Sequence, residues 1–358
     1  MRKLFRTINR VLGLRKSIQN SCQYTINKTK FLDLKISNSF EDAGKKQLFF
    51  CKFMYFTFIG LGTKNNEKKK KKEDEQDILG NKWKREKDVS QHIALAEVAL
   101  KHGEPKKAEV ILQDVVQLCG TEPIVGVCCA YDMLATIAYK EGNILKAKDI
   151  LEKVINYLIS SGTDPNHDRV VQFRLKLARI LSKLGFSQDA EDNFKECLEI
   201  QKLKSQSEML NEESEILWIN TLFWYGKHLS NNKKYVEAKE CFDTAYKISA
   251  RTKSLLSSQV MVILFNLSEM SYLGGQKDEA LRYLLNAVTL GQLTNNSDLP
   301  TYYNRIGLIY LSKGLLNEAK IWCENGKNKG KRGHNKNAQA EGESCIKKIN
   351  ELIRIPKA

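Results

Sequence analysis

Residues 131–162, YDMLATIAYKEGNILKAKDILEKVINYLISSG, contain one unit of a pattern that recurs along the chain. Ala147 is its reference point: the small residue Ala135 lies twelve positions before it, and Leu151 lies four positions after it. Gly142 lies five positions before Ala147, where a glycine can adopt the left-handed conformation that ends a helix. The spacing therefore predicts two helices that meet at a short turn, with small residues where they approach each other.

The same pattern occurs six times between residues 88 and 353. Its reference alanines are Ala108, Ala147, Ala190, Ala238, Ala280 and Ala319. Twelve positions before each one is a small residue: Ala96, Ala135, Ala178, Gly226, Ser268 or Gly307. Just before each small residue is an apolar one, beginning with Leu95. This is the tetratricopeptide pattern, in which small residues allow antiparallel helices to pack closely. It predicts an all-α tetratricopeptide-repeat superhelix of about six helix pairs with a C-terminal capping helix.

The reference alanines are 39 to 48 residues apart, which exceeds the standard repeat of about 34 residues. We expect longer second helices or longer inter-repeat loops to take up the difference. The solenoid is predicted over residues 88–325. Residues 326–358 are predicted to form a basic, glycine-rich loop followed by the capping helix that covers the last apolar face.

The positive charge of the chain is concentrated before these repeats. The 358 residues carry a formal net charge of +16, and residues 1–87 contain 22 basic and 9 acidic side chains. Residues 88–358 contain 36 basic and 33 acidic side chains. A nearly neutral repeat region argues against nucleic acid as a partner, because such a domain concentrates basic residues on one face.

The first 32 residues contain eight basic and no acidic side chains. Leu4, Ile8 and Val11 share one face of a helix, with Arg2 and Arg6 largely off that face. This composition is typical of a mitochondrial transit peptide, which we predict over residues 1–45 with the basic leader. The alternative is a disordered basic tail without a targeting role.

Residues 46–62 are predicted to be a short apolar segment that associates with a membrane, and residues 63–87 a lysine-rich linker. Within the former, LFFCKFMYFTFIGL at 48–61 is shorter than the roughly 20 apolar residues that cross a bilayer. The lysines at 68–72 follow it, where they would meet anionic head groups. A disordered linker with an apolar patch is the alternative, and a nuclear import signal is less favoured.

The repeat region contains no motif for catalysis or cofactor binding. There is no GxxxxGK phosphate loop and no HExxH, and the five histidines lack ligand spacing. The nine cysteines include no CxxC pair, so we expect reduced and mostly buried thiols rather than a metal site or disulfides. The sequence thus predicts no catalytic residue, no cofactor and no metal.

A superhelix of helix pairs offers a concave groove lined by the first helix of each pair. Aligning the repeats places seven residues at groove-facing positions: Asp132, Lys176, Arg179, Trp224, Lys227, Asn266 and Arg305. Such a surface would hold a peptide through charge-assisted hydrogen bonds and an aromatic anchor. The alternative is that these side chains belong to an ordinary solvated face, or that Trp224 packs between helices.

Three stretches carry a resemblance to a known family: residues 131–162, LKLARILSKLG at 175–185 and EAKECFDTAYKIS at 237–249. With the long repeat spacing and the basic leader, the region from about 88 to 353 resembles the mitochondrial tetratricopeptide repeat protein 19 family. The resemblance implies a non-enzymatic factor of the mitochondrial inner membrane that binds respiratory complex III, the ubiquinol–cytochrome c reductase. It further implies a role in complex III assembly and in clearing N-terminal fragments of the Rieske iron-sulfur protein.

The alternative is a cytosolic cargo adaptor resembling kinesin light chain, whose repeats are also near 42 residues. Such an adaptor would have a heptad coiled coil before its repeats, and residues 63–88 show no sustained apolar heptad pattern. An enzyme built on a repeat scaffold is a third possibility, and no residue pattern supports it.

Overall fold

The computed structural model describes residues 88–119, 125–207 and 210–354, and these form thirteen α-helices and no β-strand. The expected transit peptide, apolar segment and lysine-rich linker lie outside the described residues. We number the helices α1 (88–101), α2 (Pro105–Cys119), α3 (Val125–Lys140), α4 (Ile144–Ser160), α5 (Asp168–Leu184), α6 (Ser187–Gln206), α7 (Glu212–Asn231), α8 (Tyr235–Ser249), α9 (Ser257–Leu273), α10 (Lys277–Leu293), α11 (Leu299–Ser312), α12 (Leu316–Arg332) and α13 (Lys336–Arg354).

The first twelve helices form six antiparallel pairs joined by tight turns. After α5, Gly185 adopts a positive φ of 87°, and the next amide, that of Phe186, donates to the carbonyl oxygen of Leu181 at 3.0 Å. This hydrogen bond satisfies a carbonyl that the end of the helix would otherwise leave unpaired. The corresponding glycines of four other pairs also have positive φ. In the fourth pair the same position is Lys233, with a φ of 62°.

The repeat pattern in the sequence marks the core. All six reference alanines are fully buried, and so are the residues four positions after them: Leu112, Leu151, Phe194, Phe242, Leu284 and Cys323. The predicted all-α tetratricopeptide superhelix is therefore confirmed. Leu95 differs from the expected pattern because 56% of its surface is exposed. The face that carries it would be covered by a preceding helix pair, and no such pair is present in the part of the chain that the structure describes.

The extra length of the repeats lies in both helices and loops. Helices α6 and α7 have 20 residues each, against about 15 in a standard repeat helix. Residues 161–167 and 250–256 form seven-residue connections between successive pairs. The polar segment near residue 202 extends α6 to Gln206.

The predicted loop at 326–336 is wrong, because α12 continues as a helix to Arg332. Gly326 and Gly330 are buried within α12. A Cβ atom on Gly326 would lie 2.0 Å from Oδ1 of Asn304 in α11, and one on Gly330 would lie 2.9 Å from the backbone nitrogen of Gln339 in α13. These glycines therefore serve the close approach of α12 to its neighbours rather than a flexible connection.

Helix α13 covers the end of the array. It contacts both α11 and α12, and its buried residues Ala338, Gly342, Cys345 and Ile349 lie on one helical face. The side-chain amide of Asn304 donates to the carbonyl oxygen of Ala338 at 2.7 Å. This helix thus fulfils the expected role of a cap.

The expectation that all thiols are reduced is also wrong. Cys323 of α12 and Cys345 of α13 form a disulfide. Cys323 occupies the position where the other pairs have leucine or phenylalanine, so the sulfur bridge replaces apolar packing between the last repeat and the cap. Cys197 is a buried free thiol and Cys241 a half-buried one, and Cys119, Cys128 and Cys129 are also buried.

Candidate functional site: the inner face of the repeats

The first helices of successive pairs form the inner layer of the array. Helix α5 contacts α7, and α11 contacts the capping helix α13, which occupies the position of a next first helix. No second helix packs comparably against the second helix of the next pair among the described residues. Closer spacing in one layer curves a solenoid toward that layer, so half-exposed side chains of the first helices line the concave side.

A regular contact links neighbouring repeats across this inner layer. In the third, fourth and fifth pairs, the residue that directly follows the small residue of the first helix contacts a side chain of the next first helix. That side chain lies two positions before the small residue of its own helix. Arg179 thus packs on Trp224, Lys227 donates to Asn266, and Glu269 accepts from Arg305. We call the set formed by these six residues together with Asp132 and Lys176 the inner-face stripe.

The two ends of the inner-face stripe are ion pairs. Lys176 of α5 pairs with Asp132 of α3, and both side chains are largely buried. Arg305 of α11 binds both carboxylate oxygens of Glu269, with its Nη2 at 2.7 Å from Oε2. The Arg305 guanidinium carbon also lies 4.9 Å from the centre of the Tyr272 ring. A two-point arginine–carboxylate contact fixes geometry as well as charge, so these residues align adjacent repeats.

The middle of the stripe combines cations with neutral partners. The guanidinium carbon of Arg179 lies 3.5 Å from the centre of the Trp224 ring, a cation–π contact. Phe223 packs edge-on against Trp224 with ring centres 5.4 Å apart. Burial lowers the pKa of Arg179 to about 10. The group remains charged at neutral pH.

Lys227 is the second cation in the middle of the stripe. Its Nζ lies 3.4 Å from Oδ1 of Asn266, a long hydrogen bond. The amide of Asn266 donates to the carbonyl oxygen of Val262 at 2.7 Å, which orients Oδ1 toward the lysine. Burial lowers the pKa of Lys227, and the nearby charge of Glu269 partly opposes that shift.

The structure therefore places the seven predicted residues on first helices, where six of them form three pairs and Arg305 binds Glu269 instead. Their role in binding a partner stays a prediction. Glu269 was missed by the sequence analysis, although it directly follows Ser268 as Arg179 follows Ala178 and Lys227 follows Gly226. Also missed was Lys183, whose Nζ donates to the hydroxyl of Tyr139 at 2.8 Å and lies 4.3 Å from that ring centre.

His228 forms a buried polar contact outside the stripe. The side-chain amide of Asn232 donates to its Nε2 at 3.1 Å, so Nδ1 carries the proton and donates to Oγ of Ser182 at 2.8 Å. The ring packs against Phe194 and Tyr225. His228 is 3% exposed. Its contacts join α5 to α7 inside the core and present no open nucleophile.

Two absences concern residues 88–119, 125–207 and 210–354, the part of the chain that the structure describes. None of the helices there combines the length and apolar character that crossing a membrane requires. In the same residues, no three or more His, Cys, Asp or Glu side chains form a group suited to a metal ion.

Solved structures are similar to this chain in fold. BtubC (BKLC) from P. vanneervenii superimposes with a TM-score of 0.51 at 18% identity, over 69% of this chain and 92% of that one. At this identity the likeness concerns the helical repeat architecture alone. A family model described as tetratricopeptide repeat matches residues 300–326, in α11 and α12.

Two curated relatives resemble a larger part of the sequence. The mitochondrial tetratricopeptide repeat protein 19 homolog of Drosophila melanogaster is 26% identical over 65% of this chain and 63% of its own length. The human mitochondrial tetratricopeptide repeat protein 19 is 21% identical over 66% of this chain and 65% of its own length. The chain thus spans somewhat less than two thirds of either relative. The chain has a tetratricopeptide-repeat fold, and the similarity to mitochondrial tetratricopeptide repeat protein 19 that was expected from its sequence is confirmed by these relatives.

Proposed function

We propose that this chain is a non-enzymatic repeat protein of the mitochondrial inner membrane that binds respiratory complex III. In this proposal it supports assembly and maintenance of the complex by promoting clearance of Rieske iron-sulfur protein N-terminal fragments. The observation that carries the proposal is the similarity to relatives named mitochondrial tetratricopeptide repeat protein 19 over about two thirds of the chain. The acid-poor, arginine-bearing leader supports import into mitochondria.

The inner face supports a binding role rather than a catalytic one. Its side chains are cations, carboxylates, amides and aromatic rings that contact each other across repeats. These groups suit recognition of a polypeptide by charge-assisted hydrogen bonds and aromatic contacts.

The test is to express the full chain with a C-terminal tag, solubilise mitochondria with a mild detergent and purify the tagged protein. Mass spectrometry then identifies both the co-purifying proteins and the N-terminus of the recovered chain. We expect complex III subunits and a shortened N-terminus. Recovery of a full-length chain from the cytosol with cargo or motor proteins would overturn the proposal in favour of the adaptor.

Variants for this test must respect the contacts of the stripe. Charge reversal at Lys176 or Arg305 breaks an ion pair between repeats, so a loss of binding would not separate binding from folding. Lys227 avoids this difficulty because it forms no ion pair within the described residues.

A further inference from the structure

Helix α1 exposes apolar side chains at positions that the other five first helices bury. Leu95, directly before the small residue of its repeat, is 56% exposed, whereas its equivalents are at most 9% exposed: Leu134, Leu177, Tyr225, Leu267 and Ile306. Val98, three positions later on the same side of α1, is 48% exposed. Its equivalents are also buried: Ile137, Ile180, His228, Met270 and Ile309. Each of those five first helices contacts the second helix of the preceding pair, so α1 has an open face where the others have a covering helix.

The open face is too small to support a stable dimer of the chain. A stable protein interface buries roughly 800 Å² per partner, and even the largest side chains bury only about 150–250 Å² each. Leu95 and Val98 together fall well short of that area. A segment of the same chain needs less buried surface, because the covalent connection keeps it at a high local concentration. The covering segment is therefore expected within residues 1–87, which lead directly into α1.

Residues 48–61 have the composition that this face requires. They contain five phenylalanines and a single charged side chain, Lys52. Residues 62–87 are closer to α1 but include five consecutive lysines, and their large apolar side chains are only Ile78, Leu79 and Trp83. The basic leader before residue 46 belongs to the predicted transit peptide. Burial of an apolar face against apolar side chains is favourable, which selects residues 48–61 as the occupant.

The length of the chain between the two also permits the contact. Residues 62–87 reach about 85 Å when fully extended, several times the length of α1, whose 14 residues span about 21 Å. Residues 48–61 are also 14 in number, so a helix formed by them would lie along α1 from end to end. Its aromatic side chains would then bury Leu95 and Val98 as preceding second helices bury their equivalents.

We propose that residues 48–61 dock on the open face of α1, at Leu95 and Val98, when they are not in contact with a membrane. The same apolar side chains serve both contacts, so docking and membrane association exclude each other. The first repeat thereby shields the segment in water, and a lipid surface releases it. This inference rests on the proposed function only in that residues 48–61 associate with the membrane.

Photo-cross-linking of the purified full chain tests the docking itself. The probe p-benzoylphenylalanine replaces Leu95, and mass spectrometry identifies the peptide that it joins after irradiation. We expect cross-links to residues 48–61 of the same chain, and their loss when phosphatidylcholine vesicles are added. The same probe in place of Val236, an exposed apolar residue of α8, should not reach that segment. Cross-links from position 95 to residues 62–87, to a second chain or to nothing would overturn the inference.

Vesicle binding tests the competition between the two contacts. The double variant Leu95→Asn with Val98→Asn should release the segment and strengthen binding to phosphatidylcholine vesicles about fivefold or more, because only the released form binds lipid. Zwitterionic lipid is chosen because the basic leader would bind an anionic surface by itself. The matched control, Leu145→Asn with Val236→Asn, replaces two exposed apolar residues of α4 and α8 and should bind as the wild type does.

Circular dichroism establishes that each variant is folded. Unchanged or weaker vesicle binding by the folded double variant would contradict the competition. If the double variant does not fold, the cross-linking result decides.

These experiments separate the inference from the proposed function. If the wild type binds vesicles and complex III is recovered, but position 95 gives no cross-link to residues 48–61, the inference fails while the proposed function stands. If the cross-link forms and is lost on vesicles, but no complex III subunit is recovered from mitochondria, the proposed function fails and the inference stands.

Discussion

Lys233 occupies the turn position that a glycine occupies in the other five helix pairs, and it has the same left-handed backbone, with φ of 62°. A side chain with a Cβ atom pays about 1 kcal/mol or more for this conformation. We therefore expect Lys233→Gly to raise the free energy of unfolding by about 0.5–1 kcal/mol, after allowing for the greater flexibility of glycine in the unfolded chain.

Urea unfolding followed by circular dichroism measures this effect. Gly185→Ala is the matched control, because it places a Cβ at an equivalent turn with φ of 87° and should be destabilising by a similar amount. A Lys233→Gly variant no more stable than wild type would show that the turn is not strained.

His228 should make stability depend on pH. Burial lowers its pKa below the ordinary value, with Lys234 acting in the same direction and Glu191 opposing. In the unfolded chain His228 binds a proton near pH 6.5, whereas in the folded chain it binds one only at lower pH. The free energy of unfolding therefore falls as the pH is lowered through about 6.5. His167, whose pKa burial also lowers, contributes with the same sign.

Melting temperatures between pH 7.5 and 5.5 test this prediction. His228→Gln should lower stability at pH 7.5, by about 1–2 kcal/mol for the lost hydrogen bonds, and should show a shallower decline toward pH 5.5. The exposed His102 provides the control His102→Gln, which should follow the wild-type curve. An unchanged slope in His228→Gln would exclude His228 as a source of the pH dependence.

At the scale of elements, the junction of α11, α12 and α13 depends on glycines within helices. Gly326 faces the buried side chain of Asn304, and a Cβ there would meet Oδ1 at 2.0 Å and the carbonyl oxygen of Pro300 at 2.9 Å. We expect Gly326→Ala to reduce the free energy of unfolding by about 1–3 kcal/mol, because over-packing forces helices apart. The exposed Gly333, whose Cβ would meet only the Lys329 carbonyl oxygen at 3.3 Å, supplies the control Gly333→Ala.

Limited proteolysis shows which part of the chain Gly326→Ala destabilises. Cleavage in Gly326→Ala should begin at α13, the helix that packs against α11 and α12 at this junction. Gly333→Ala should resist protease as the wild type does. Both comparisons are made with the Cys323–Cys345 disulfide reduced, since the covalent link would mask the loosening of α13. Wild-type protease resistance in Gly326→Ala would show that close packing at this junction does not hold α13 in place.

At the scale of the whole molecule, the apolar interior is divided along the array. One cluster of buried residues joins α1, α2 and α3, and a larger one extends from α3 to α11. Because each repeat contacts only its neighbours, stability is expected to vary along the chain. We expect amide hydrogen exchange to be fastest in α1 and α2 and slowest between α5 and α10.

Hydrogen exchange measured by mass spectrometry after peptic digestion gives this profile. The prediction concerns the order of protection, so exchange of all helices at one common rate would contradict it and indicate a single cooperative unit. Deletion of α13 should create a second weakly protected region at α12, which then loses the apolar cover of Cys345 and Ile349.

Much of this fold is determined by short spacings in the sequence. Ala147 and the five equivalent alanines are fully buried because only a methyl group fits where two helices cross closely, and that requirement repeats with the helix pairs. The sequence likewise determined five of the six turns, since glycine tolerates positive φ. It also placed seven residues on the inner face, because helical periodicity relates them to the small residues.

Only the tertiary structure decided how these residues meet. Gly326 and Gly330 indicated a loop in the sequence, yet both lie within α12. Glycine is needed there because α11 and α13 approach too closely to leave room for a side chain. Cys323 and Cys345 are brought together by the antiparallel packing of α12 and α13, which no local spacing specifies. The partners of the stripe, Glu269 for Arg305 and Asn266 for Lys227, depend on the rotation between successive repeats. Local spacing determines which face a residue occupies, and packing between repeats determines which side chain it contacts there.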